Sequence, residues 1–74
     1  MREQIVNILK EIKPTKDLSN ETAIVEEGFL DSFELMSLIA SLQDTFGVEI
    51  DVMDIVPENF NSVDAMAAMI EGLK

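Results

Sequence analysis

The stretch Asp31-Ser32-Phe33-Glu34-Leu35-Met36-Ser37-Leu38-Ile39-Ala40-Ser41-Leu42-Gln43-Asp44-Thr45-Phe46-Gly47 decides how this chain folds. Leu35, Leu38, Ile39, Leu42 and Phe46 recur at helical spacing, which predicts an amphipathic helix over residues 32–46 with those five side chains in the core. Asp31 followed by Glu34 resembles a capping box, with Asp in place of Ser or Thr at the N-cap. Gly47 is suited to the left-handed position after the last turn, where it would let Val48 fold back against Leu42.

Two further helices lie on either side. Ile5, Ile8, Leu9 and Ile12 follow the same periodicity, with Glu3 in the first turn and Lys10 and Lys13 in the last to suit the helix dipole. Pro14 disfavours helical geometry at Lys13 and ends that helix. A last helix starts near Asn61 or Ser62 and presents Val63, Met66, Ala67, Ile70 and Leu73 on one face, with fraying near Gly72. Between them, Ile50, Met53, Ile55 and Val56 predict a helical turn or two before Pro57, too short to be stable alone. Val48 to Ile50 has no second strand pattern to pair with. Residues 14–31 make a long connection, pinned across the helices by Leu18, Ile24, Val25, Phe29 and Leu30, with Gly28 permitting a turn. The expected architecture is all-α: a small antiparallel four-helix bundle, three main helices plus a short third one, with a long first loop, as one domain over residues 1–74.

Composition narrows what such a bundle can do. Fifteen Asp and Glu oppose five Lys and Arg, a formal charge of −10 on 74 residues, yet 47% of the chain is hydrophobic. Disorder is therefore not expected, because it requires a shortage of apolar residues. Without Cys or His the chain lacks a thiolate nucleophile, a disulfide and the usual general base. It is poorly equipped to be an enzyme, and no catalytic residue is assigned. Asp51, Asp54 and Glu58 lack the spacing and the glycine of a calcium loop, so no metal site is assigned. The absence of an apolar leader or span predicts a soluble, cytoplasmic chain without membrane insertion. No basic residue occurs from Asp17 to Leu73, where 13 of the carboxylates lie. This excludes a phosphate-binding face for nucleic acid and suits either solubility or steering of basic partners.

Ser32 stands in the first turn of the central helix. A serine there is ordinarily only a cap, but unpaired N–H groups and the positive dipole end also favour a phosphate ester. On a helical wheel with Leu35 at zero, the core stripe stays within about 60°, while Met36, Ala40 and Phe33 fall at about 100°, 140° and 160°. Together with Ser37 and Asp44, and with Glu34 and Gln43 as flanks, they form an apolar strip bordered by acids that leads away from Ser32. Such a strip is either a contact site or is covered by the long loop.

Gly28-Phe29-Leu30-Asp31-Ser32-Phe33-Glu34-Leu35 resembles the modification site of acyl and peptidyl carrier proteins, whose signature is Asp-Ser-Leu at the start of the second helix. Phe33 takes the place of the usual Leu. The likeness extends over essentially the whole chain, through the first helix, long loop, acidic second helix and apolar last helix. It implies that Ser32 receives 4′-phosphopantetheine from coenzyme A through a phosphopantetheinyl transferase, with Asp31 as its motif partner. The arm's thiol then holds an acyl or aminoacyl thioester, supplied by an activating ligase and consumed by a synthase or transferase with a basic docking surface. The resemblance further implies that Phe33, Glu34, Met36, Ala40 and Asp44 lie on the recognition helix. It places Ile55, on the short third helix, toward partners or along the cargo's path. A monomer suffices for this role. The length of Ile50 to Ser62 and the run Glu26 to Ser32 are closer to D-alanyl carrier proteins, which deliver D-alanine for teichoic acid modification, although the Phe60 position often carries Trp there. Carriers in fatty-acid, polyketide, peptide or sugar-modification pathways remain open, as do a cofactor-free acidic interaction module and a divalent-ion binder.

Overall fold

The computed structural model describes residues 1–74 and contains only helices: α1 (Arg2–Ile12), α2 (Ser32–Phe46), a 3-10 turn (Val52–Asp54), α3 (Pro57–Phe60) and α4 (Val63–Leu73). The central helix occupies the residues predicted for it. Asp31 Oδ1 accepts from the Glu34 amide at 2.8 Å, and Glu34 Oε1 accepts from the Asp31 amide at 3.0 Å, closing the capping box. At the other end Gly47 adopts φ 64° and donates its amide to the Gln43 carbonyl. This left-handed conformation costs a residue with a Cβ more than it costs glycine. Val48 packs against the core from there.

α1 and α2 are antiparallel neighbours, the last residues of α1 lying beside the first turn of α2, where Lys13 meets Glu34. Arg2, at the start of α1, pairs with Asp64 in the first turn of α4. The end of α4 brings the Lys74 ammonium over the Phe46 ring. One continuous core joins Ile5 and Leu9 of α1, Leu38 and Leu42 of α2, Phe60 of α3, and Met66 and Ile70 of α4. Met69 is also buried, on the flank of the stripe that Val63, Met66 and Ile70 define. Ser62 caps α4 by accepting from the Ala65 amide at 3.0 Å.

Leu18, Ile24 and Leu30 are buried in that core, with Val25 and Phe29 packed at its edge, so the long first loop is held by its own apolar side chains. Gly28 turns the chain at φ 75°, and Lys16 lies 4.5 Å from the centre of the Phe29 ring. Asp17 fixes the start of this loop, accepting from the Ser19 hydroxyl at 2.6 Å and its amide at 3.0 Å. Both bonds favour the ionised carboxylate and hold it below its ordinary pKa.

The segment before Pro57 departs from expectation. Instead of one helix through Ile50, Met53, Ile55 and Val56, a single 3-10 turn covers Val52–Asp54, and the short α-helix begins at Pro57 itself. Proline forces the residue before it out of helical geometry, and Val56 is extended accordingly, at φ −127° and ψ 151°. At the first helical position the missing amide of Pro57 costs nothing, so proline starts this helix rather than following it.

Candidate functional site

Asp31, through its capping box, sets the direction in which α2 leaves the first loop, and Ser32 follows it into solvent. The Ser32 side chain is exposed and makes no hydrogen bond with the rest of the chain. The amides of Ser32 and Phe33 also lack a protein acceptor, because the first bonds of the helix are donated by Glu34 to Asp31 Oδ1 and by Leu35 to the Asp31 carbonyl. A free hydroxyl therefore stands beside two unpaired donors at the positive end of a 15-residue helix, where an anion is favoured by both hydrogen bonding and the helix dipole.

Along α2 from that point, Phe33 is 85% and Met36 60% exposed, and Ala40, Ser37 and Asp44 are exposed beside them. The first loop does not cover the strip. Glu34 behaves differently from its neighbours. It is partly buried, bonded to the Asp31 amide and to Lys13 Nζ at 3.3 and 3.4 Å, and so is turned toward α1. Ile55 does not join the strip. With Val25, Leu35, Val56, Pro57 and Phe60 it lines an apolar cavity of about 110 Å³, which opens one helical turn beyond Ser32 at Leu35. A cavity of about 150 Å³ holds benzene, so this one accommodates only a few heavy atoms.

Sequence periodicity gave no sign of two features. Met53, counted among the apolar turn residues, and its neighbour Val52 are 81% and 74% exposed on the 3-10 turn, between the carboxylates of Asp51 and Asp54. Asn61, which marked only a helix start, is buried and ties the first loop to the α3–α4 junction. Its Oδ1 accepts from the Val25 and Glu26 amides at 3.0 and 3.2 Å. Its Nδ2 donates to Glu26 Oε1 at 2.9 Å, and its carbonyl accepts from the Ile24 amide at 2.9 Å. Its one sequence-level signal was the long, patterned loop that needed an anchor. Glu26 thus has a structural partner, whereas Glu27 is simply exposed. No three acidic side chains converge as they would around a metal ion, and no helix is long and apolar enough to cross a membrane.

Residues 2–70 match the family described as "Phosphopantetheine attachment site". The chain belongs to this family of carrier proteins, and its prosthetic group is 4′-phosphopantetheine. Among its relatives is the D-alanyl carrier protein of Staphylococcus saprophyticus, 25% identical over 75 residues, an alignment covering 99% of this chain and 96% of the relative. The first turn of α2 fits the group on structural grounds. An exposed serine hydroxyl can take a phosphate ester, and the Ser32 and Phe33 amides can donate to its oxygens.

Proposed function

We propose that Ser32 bears the 4′-phosphopantetheine and that the chain carries a small aminoacyl group, of the D-alanyl class, as a thioester on that arm. The observation that carries the site is the free, exposed Ser32 hydroxyl at the start of α2 in a chain of this family. When bound, the group supplies the terminal thiol that a chain without cysteine lacks. Asp31 and Glu34 orient the turn from which the arm leaves. The chain contributes no catalysis of its own and acts as the substrate of a phosphopantetheinyl transferase, an activating ligase and a downstream transferase. Phe33, Met36, Ala40 and Asp44 form the face those enzymes meet, apolar at its centre and acidic at its edge, which suits a basic docking surface. The unit of function is a single monomeric domain over residues 1–74, working in the cytoplasm without nucleic acid or membrane insertion.

The preference for a small cargo rests on the cavity beside Leu35 and Ile55, which is too small for a long acyl chain, and on the likeness to a D-alanyl carrier. Fatty-acyl or polyketide service would need the bundle to open. The pantetheinylated protein is therefore expected to be charged by a D-alanine-activating ligase with ATP, giving a hydroxylamine-labile mass increase. Under matched conditions, an acyl-activating ligase supplied with long-chain fatty acids should charge it at least tenfold more slowly. Equal charging by a long chain, accompanied by a rise in melting temperature as the chain is sequestered, would assign it to fatty-acyl traffic instead.

A further inference from the structure

Lys13, in the C-cap of α1, is the one cation that the fold delivers to the Ser32 turn. With no basic residue between Asp17 and Leu73, any positive charge near Ser32 must come from the first 16 residues or from Lys74. Arg2 is engaged with Asp64, Lys10 lies near the carboxylate of Asp17, Lys16 pairs with Glu21 and the Phe29 ring, and Lys74 with the Phe46 ring at the far end of α2. Lys13 alone reaches the first turn of α2, where Nζ bonds both oxygens of Glu34, and Glu34 Oε1 in turn accepts from the amide of Asp31, the residue before Ser32. The pair is partly shielded, with 31% of the Lys13 and 25% of the Glu34 side chain exposed. Charges there are screened less by salt than those of a fully exposed pair.

The turn already holds two carboxylates, Asp31 and Glu34, against this single ammonium. A phosphodiester on Ser32 adds a further permanent negative charge beside them. Lys13 has three donors, and its contacts with Glu34, at 3.3 and 3.4 Å, are long. Its flexible stem leaves the charge free to settle between the carboxylate and an added phosphate.

We propose that Lys13 is the counter-ion of the phosphodiester on Ser32, a positioning residue in the first helix that stabilises the modified protein more than the unmodified one. The proposal rests on the reading of Ser32 as the attachment residue. Its rival is that the pair merely ties α1 to α2, in which case both forms need Lys13 equally.

The test is a comparison of apo and holo melting temperatures for wild type, Lys13→Met, Lys13→Gln and Lys13→Arg, with holo protein first verified by peptide mass at Ser32. Lys13→Met is expected to lower the holo melting temperature by about 3–6 °C more than the apo temperature, on the scale set by a domain of this size. Lys13→Gln, which keeps a donor toward Glu34 but not the charge, should show the same holo-selective loss, and Lys13→Arg should abolish it. High salt should shrink the difference. Equal shifts in apo and holo protein, or restoration by Gln as complete as by Arg, would overturn the role of Lys13 while leaving Ser32 in place. An adduct mapped to another residue overturns both.

Discussion

Replacing Phe60 by Ala is expected to destabilise the protein by about 3–5 kcal/mol, the usual range for deleting a fully buried aromatic ring. The whole chain is worth roughly 4–11 kcal/mol on the per-residue scale, so this one change consumes much of its stability. Phe60 is 1% exposed and the largest fully buried side chain. It belongs to a four-residue helix that cannot persist by itself. The ring is what attaches α3 to the core, and it forms one wall of the small apolar cavity with Val25, Leu35 and Ile55. Urea unfolding followed by circular dichroism measures the change. A loss below about 1.5 kcal/mol would mean that the surrounding side chains collapse into the space and that α3 is held by other contacts.

The second large effect falls on Asn61. Asn61→Ala removes the acceptor shared by the Val25 and Glu26 amides and the donor to Glu26. Unsatisfied buried groups cost about 1–3 kcal/mol each. Glu26 lies at the surface and Val25 only partly beneath it, so water recovers part of the loss and the expected total is about 2–3 kcal/mol. The location of the damage is as informative as its size. Amide hydrogen exchange at Val25 and Glu26 should accelerate strongly, while the middle of α2, whose bonds are internal to the helix, keeps its protection relative to global unfolding. Unchanged exchange at those two amides would show that the apolar side chains of the loop hold it without Asn61.

These two residues also show where sequence ceases to be legible. α2 could be read to the residue because its determinants are local: a carboxylate three positions before its capping partner, a stripe at helical spacing and a glycine at the end. The same wheel turned Phe33 and Met36 away from the core stripe but left open whether the long loop covers them, and it is the fold of that loop that leaves both exposed. The segment after α2 was harder. Apolar residues in Ile50 to Val56 suggested a helix there, but Pro57 acts at the start of a helix, and the conflict between its two roles is decided by what Phe60 can reach in the core. Asn61 and the Lys13–Glu34 pair were illegible for another reason. Their partners lie 35 or 36 and 21 residues away, and no local pattern encodes an encounter at that separation. The acidic composition changes meaning in the same light. Glu34 and Glu26 are committed to internal contacts, leaving Asp44 as the exposed carboxylate beside Met36 and Ala40 on the outer face of α2.

The central claim, that Ser32 is the attachment residue, is tested most directly by intact and peptide mass spectrometry after incubation with coenzyme A and a promiscuous phosphopantetheinyl transferase. One added phosphopantetheine mass is expected, mapped to the peptide containing Ser32 and absent from a Ser32→Ala variant that keeps the wild-type helical spectrum. No added mass on the wild type, or an adduct that persists in Ser32→Ala, would contradict it.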